Sequence, residues 1–155
     1  MPIKVLIADD SRIILPAIRR ELSAEPLIEV VAEASTFAET MQMINDFKPD
    51  VLLLDLYMPE RRDFTPDFVK SQLVSVNCVL AMSFSNDSEA KALAERYGAV
   101  SLLDKMNLVA ELVPAILGCP RAIPQDDMPD RIRSRKTPSI TPINITKHAI
   151  RRHAS

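Results

Sequence analysis

Asp50-Val51-Leu52-Leu53-Leu54-Asp55-Leu56-Tyr57-Met58-Pro59 is the stretch on which the reading of this chain turns. Four consecutive apolar residues run directly into a carboxylate, and a proline follows four positions later. A run this short, with no polar alternation, suits a strand covered on both faces, as in a parallel sheet. Asp55 then stands where the strand ends and the chain leaves the core. A carboxylate is costly to bury unpaired, so its place at a strand's carboxyl end marks a candidate site.

The same pattern recurs on both sides of this stretch. Upstream, Ile3 to Ala8 reads as a buried strand ended by Asp9 and Asp10. Ser11 can cap a helix carrying Ile13, Ile14, Ala17, Ile18 and Leu22 at helical spacing, with Pro16 making its first turn irregular or late. Residues 27–33 read as a second strand. Thr36 and Glu39 form a capping box for a helix through Phe47 with Phe37, Met41 and Ile44 on its apolar stripe, and Lys48-Pro49 stops it.

Downstream, Glu60-Arg61-Arg62-Asp63 is polar, and Pro66 opens a short helix to Gln72. Residues 78–82 read as a fourth strand ending at Ser83. Asn86 and Glu89 have capping-box spacing; Ala90, Leu93, Ala94 and Tyr97 keep helical period, and Gly98 is placed to end that helix. Residues 99–103 form a fifth strand, closed by Asp104-Lys105. Asn107 caps a last helix with Leu108, Leu112 and Ile116 inward, a kink at Pro114 and its end at Gly118. Strand and helix thus alternate five times by residue 118, which predicts a parallel sheet with helices on both faces and right-handed crossovers. The carboxyl ends of all such strands lie on one edge, where ligands sit.

Composition divides the chain in two. Its 155 residues are 47% hydrophobic, enough for one domain with a core. The net charge of −2 hides an asymmetry: residues 1–118 hold 18 acids and 11 bases, a balance of −7, whereas residues 119–155 hold 3 acids and 8 bases, a balance of +5. Five of the twelve prolines fall in that second stretch, at Pro120, Pro124, Pro129, Pro138 and Pro142. It reads as a basic, proline-rich tail or linker in which only residues 143–153 could form a short helix. Cys78 and Cys119 read as two free thiols, not a disulfide framework, and so suggest a reducing compartment. Acids appear too early for a signal peptide, and no apolar run approaches membrane-spanning length; the expectation is a soluble cytoplasmic protein.

Four features converge on the one sheet edge: the Asp9-Asp10 pair, Asp55, the hydroxyl of Ser83 and the ammonium of Lys105. Carboxylates ~4 Å apart repel by about 4 kcal/mol per pair at an effective dielectric of 20, so the cluster needs a cation or a proton. Hard oxygens without His or Cys favour Mg2+ over zinc, and a metal held there would draw in a phosphoryl group. Taken singly, each feature has a plainer reading. Asp10 or Ser11 can be a helix cap, Asp55 a loop residue, and Ser83 and Lys105 solvated surface. Their common place at strand ends of one alternating fold is what sets them apart.

Residues 1–118 resemble the receiver domain of two-component response regulators, including the single-domain chemotaxis regulators. The matching residues are Asp9-Asp10 after the first strand, Asp55 in Leu-Leu-Asp-Leu-Tyr-Met-Pro, Ser83 after the fourth strand and Lys105 after the fifth. The resemblance implies a flavodoxin-like, doubly wound five-stranded parallel sheet in the order 2-1-3-4-5. It also implies that Asp55 is the phosphoacceptor, taking its phosphoryl group from a sensor histidine kinase or a phosphotransfer protein. Asp9, Asp10, Asp55 and the backbone carbonyl of Tyr57 would hold Mg2+, while Ser83 and Lys105 would stabilise the phosphoryl group. Phosphorylation would then switch partner binding; beyond its own phosphotransfer and slow autodephosphorylation, no enzymatic activity is implied. Many receivers pair through the last two helices and the fifth strand, so a homodimer through that face is an open expectation.

The chain departs from the family pattern at several positions. Phe84 follows Ser83 where a small residue is usual, and Leu102 occupies the switch position that is often aromatic. Met106 replaces the proline after the lysine, and the glycine usual after Met-Pro is missing from Arg61-Arg62-Asp63-Phe64. These leave a second reading open, a degenerate receiver acting as a phosphorylation-independent interaction module. A phosphohydrolase of the haloacid dehalogenase type needs an Asp two residues after the nucleophile, where Tyr57 stands. Nucleic acid is not the expected partner: binding by the tail would be at most non-specific, since the tail has no aromatic residue to stack on bases, and a solvated tail or linker is the expected reading.

Overall fold

The computed structural model describes residues 1–120. Its strands are β1 (Ile3–Ala8), β2 (Ile28–Ala34), β3 (Val51–Asp55), β4 (Cys78–Ser83) and β5 (Ser101–Asp104). Between and after them lie α1 (Ile14–Ser23), α2 (Phe37–Phe47), α3 (Pro66–Leu73), α4 (Ser88–Arg96) and α5 (Leu108–Leu117). Short 3-10 turns occupy Pro59–Asp63 and Lys105–Asn107. All strand pairs are parallel, in the order β2-β1-β3-β4-β5. Strand order reverses between β1 and β3, so a crevice opens at the carboxyl ends of those two strands.

Alternation along the strands builds two cores. Leu6, Leu52, Leu54, Val79 and Ala81 face α2, α3 and α4, packing with Phe37, Ile44, Val69, Leu73, Ala90 and Tyr97. Val5, Ile7, Val51, Leu53, Leu80 and Met82 face α1 and α5, packing with Ile18, Leu22, Leu108, Leu112 and Ile116. Burial on both faces explains why β3 reads as a continuous apolar run.

Helix boundaries follow local chemistry, with corrections to the sequence reading. In α1, Ser11 Oγ accepts the Ile14 N–H at 3.1 Å, and Pro16 falls in the first turn, where its missing N–H costs nothing. Of the five residues expected inward, Ile18 and Leu22 are buried, Ile14 is half-buried, and Ile13 and Ala17 are exposed. Thr36 Oγ1 accepts the Glu39 N–H at 3.0 Å, one half of the expected capping box, while Glu39 Oε1 accepts from the Ser35 and Thr36 hydroxyls. The inward stripe of α2 is Phe37, Thr40 and Ile44, with Met41 only half-buried. Lys48 ends that helix in the left-handed region (φ 48°). The cap of α4 is Asp87, not Asn86: its Oδ1 accepts from Ala90 N at 2.8 Å. Asn107 precedes α5 without a side-chain cap; Asp104 Oδ1 instead accepts from Met106 N at 2.8 Å and fixes the preceding turn. Gly98 (φ 83°) ends α4 as its sequence position suggests.

The cysteines overturn an expectation. Cys78 at the start of β4 and Cys119 just past α5 are joined as a disulfide, with Cα atoms 6.0 Å apart. Neighbours in one core, they lie 41 residues apart in sequence, so no local pattern announces the pairing. The inference of a reducing compartment from free thiols loses its basis. Among the described residues no helix is long and apolar enough to cross a membrane. The tail from residue 121, including the short helix considered at residues 143–153, lies outside the described residues.

Candidate functional site

β1 and β3 are central strands in register, with Ala8 opposite Leu54, so their carboxyl ends deliver Asp9 and Asp55 side by side. Asp9 is fully buried, Asp55 nearly so, and Asp10 exposed. One carboxylate oxygen from each of Asp9, Asp10 and Asp55 lies within 4.8 Å of the others. Lys105, directly after β5, extends its Nζ into the cluster, 2.7 Å from Asp9 Oδ2 and 3.2 Å from Asp55 Oδ1. Its side chain is only 4% exposed, so its charge is poorly screened by water.

The backbone holds the acids in place. Ser11 N–H donates to Asp9 Oδ1 at 2.7 Å, and Tyr57 N–H donates to Asp55 Oδ1 at 3.2 Å. Asp9 Oδ2 receives no well-aligned hydrogen bond although the Lys105 ammonium stands beside it. Burial pushes the Asp55 carboxyl up from an ordinary 3.8 to about 6; Lys105 pulls it back, and the Asp9 carboxylate pushes it further up. One ammonium thus faces three carboxyl groups, leaving the crevice short of positive charge.

That donor set suits a hard divalent cation. Oxygen-only ligands, a spacing compatible with one small ion and a charge deficit all agree with Mg2+. Asp9, Asp10 and Asp55 would supply the side-chain oxygens.

The remaining predicted residues lie on or just after β4 and β5. Ser83 ends β4 in register with Asp104, and Met82, its predecessor, lies opposite Asp55. Its hydroxyl accepts the Ser85 N–H at 2.9 Å, and no hydrogen bond among the described residues joins it to Asp55. Phe84 is 59% exposed, and its ring centroid lies 5.2 Å from Lys105 Nζ, a cation–π contact at the rim. Leu102 is half-buried on β5 against the core that α2, α3 and α4 share. Met106 is exposed.

One positioning residue escaped the sequence reading. Glu60 Oε1 accepts the Phe37 N–H at 2.7 Å, capping α2 from 23 residues away and pinning the turn that follows β3. Only the polar character of residues 60–63 hinted at a role, and nothing local named the partner.

Comparison with known proteins matches this geometry to a family. The model of the response regulator receiver domain covers residues 5–117. A protein-glutamate methylesterase/protein-glutamine glutaminase of Anaeromyxobacter dehalogenans is 30% identical over 111 residues, 72% of this chain but 32% of that relative. The transcriptional regulatory protein LiaR of Bacillus subtilis is 30% identical over 125 residues, 79% of this chain and 58% of the relative. This chain therefore spans between about a third and three fifths of those relatives' lengths. Among solved structures, the receiver domain of a response regulator NarL from Mycobacterium tuberculosis superposes with a TM-score of 0.66 at 28% identity, covering 75% of this chain and 94% of that one. The receiver domain of Thermotoga maritima CheB gives the same TM-score at 21% identity, covering 80% of this chain and all of that one (100%), and speaks for the fold alone. With the 2-1-3-4-5 sheet and the acids at its switch point, residues 5–117 make this chain a member of the response regulator receiver domain family.

Proposed function

We propose that Asp55 is the phosphoacceptor, charged by the phosphohistidine of a sensor histidine kinase or phosphotransfer protein. The observation carrying this reading is that Asp55, nearly buried at the end of β3, has Lys105 Nζ 3.2 Å from its Oδ1 and two further carboxylates beside it. In the step itself an Asp55 carboxylate oxygen forms a bond to phosphorus as the P–N bond breaks. The imidazole nitrogen keeps the bonding pair and leaves as neutral histidine when its other nitrogen carries the proton. Transfer of this kind needs positioning and charge neutralisation more than covalent chemistry. Lys105 supplies a fixed positive charge, and the Tyr57 N–H holds the nucleophilic carboxylate in orientation. Asp9, Asp10 and Asp55, with the Tyr57 carbonyl, would hold Mg2+, which when bound neutralises charge on the phosphoryl oxygens.

Ser83 is assigned to a phosphoryl oxygen after transfer, a role that requires its hydroxyl to leave Ser85 N–H. Leu102 lacks an aromatic ring to follow that movement, so ring rotation at this position cannot report the state of Ser83. The edge strand β5 with α4 and α5 is the face we assign to pairing with a second copy. A phosphoryl donor charged from intracellular ATP argues for a cytoplasmic location, against which stands the Cys78–Cys119 disulfide, a bond uncommon in a reducing compartment.

Intact-protein mass spectrometry after incubation with acetyl phosphate and Mg2+ tests the reading. The expected result is one added phosphoryl group, dependent on Mg2+ and absent from Asp55→Asn. No addition to the wild type under those conditions would favour a phosphorylation-independent interaction module.

A further inference from the structure

The 3-10 turn Pro59–Asp63, the start of α3 and one face of α4 border a groove of about 530 Å3, open to solvent on one side. Arg61 and Arg62 enter it from the turn and Arg96 from α4, while Phe64, Leu93 and Tyr97 supply apolar lining. Asp63 and Glu89 also border it, yet no ion pair among the described residues engages any of the three arginines. Arg61 instead lies over the Tyr57 ring, 4.9 Å from its centroid. Arg61 and Arg96 both draw down the Tyr97 phenol, which burial raises, so the two guanidinium groups act on the same ring.

Exposed arginines are ordinarily just solvated. Here two exposed arginines and the half-buried Arg61, all without carboxylate partners among the described residues, border one concavity in a body whose balance over residues 1–118 is −7. The groove is also pre-formed. Glu60 fixes the turn to α2, Thr65 Oγ1 caps α3 from Phe68 N at 3.1 Å, and Phe64 stacks on Phe68 and packs edge-on against Phe37. Arginine with aromatic neighbours in a rigid recess is the composition of interface anchor points.

We propose that this groove docks an acidic segment of a partner protein, with carboxylates on Arg61, Arg62 and Arg96 and an apolar side chain against Phe64 and Leu93. Cations contributed by two separate elements, with apolar surface between, suit spaced carboxylates flanking an apolar residue. A compact phosphate would be better served by a single cluster. Because Arg61 also covers Tyr57, two residues from Asp55, occupancy that draws it away would couple the groove to phosphorylation. That coupling rests on the phosphoacceptor reading, whereas binding in the groove does not.

Amide-resolved NMR on the full chain, without phosphoryl donor, tests the binding directly. The probe is a synthetic peptide of repeated Glu-Glu-Leu, with ATP and a Lys-Lys-Leu peptide titrated in parallel. The expected result is saturable shifts at Arg61, Phe64, Leu93 and Arg96, weakened by salt and roughly tenfold or more weaker in the Arg62→Glu/Arg96→Glu variant. The variant's remaining cross-peaks, unmoved, would show that its fold is retained. Shifts confined to the basic residues 121–155, or groove amides unmoved at saturation, would overturn the proposal. So would stronger saturable shifts with ATP at the same amides, which would make the groove a small-anion site.

Discussion

The strand-end crevice and the α3–α4 groove are opposites in both charge and solvent. In the crevice, Asp9, Asp55 and Lys105 are buried, and one ammonium answers three carboxyl groups. In the groove, Arg62 and Arg96 are exposed and Arg61 is half-buried, with no ion pair among the described residues. Charges of either sign cost little while water covers them, but removing one partner from a buried cluster leaves the others uncompensated. The same kind of substitution should therefore have very different effects in the two regions.

Lys105→Met should give the largest effect. It removes the ammonium beside Asp9 and Asp55 and should cost about 3 kcal/mol of stability at neutral pH, measured by urea unfolding in the presence of a chelator. Added Mg2+ should restore part of that loss, since a ligand bound to the folded state alone stabilises it. A loss below about 0.5 kcal/mol would show that the crevice is more hydrated than its burial implies.

The next effect depends on pH. Folding raises the Asp55 carboxyl from 3.8 to about 6, so the folded state holds that proton more tightly. Its contribution to stability is complete below about pH 3.8 and is lost as pH rises through about 6. Without divalent cation, Asp55→Asn should gain on the wild type across that window, by on the order of 2–3 kcal/mol at pH 7. Parallel unfolding curves for the two proteins from pH 4 to pH 7 would contradict the assigned burial cost.

The smallest effect belongs to the groove. Arg62→Ala should change stability by no more than about 0.5 kcal/mol in the same assay, because its charge is already solvated. A loss comparable with that of Lys105→Met would mean that the groove arginines support the fold itself and would erase the contrast between the two regions.

Much of this was legible in the sequence because it is written locally. The apolar run of β3, the acids closing β1 and β3, and Lys105 after β5 each declare a strand end, and parallel topology then assembles them without further information. Where partners lie far apart in sequence, the reading failed. The Cys78–Cys119 pair spans 41 residues, and the Glu60 cap on Phe37 spans 23. Competition between adjacent caps was also illegible: Asp87, which also accepts from Ser85 Oγ at 2.6 Å, takes the position expected for Asn86. Asn107 has the right place and residue type, but its φ of −127° and ψ of 25° come without a side-chain cap bond.

We propose that the under-neutralised crevice receives a phosphoryl group on Asp55. Borohydride reduction of acetyl phosphate-treated protein converts an aspartyl phosphate to homoserine, which peptide sequencing by mass spectrometry can locate. Homoserine is expected at position 55 alone, formed only when Mg2+ is present. Homoserine at position 9 or 10 in its place, or none at all, would contradict it.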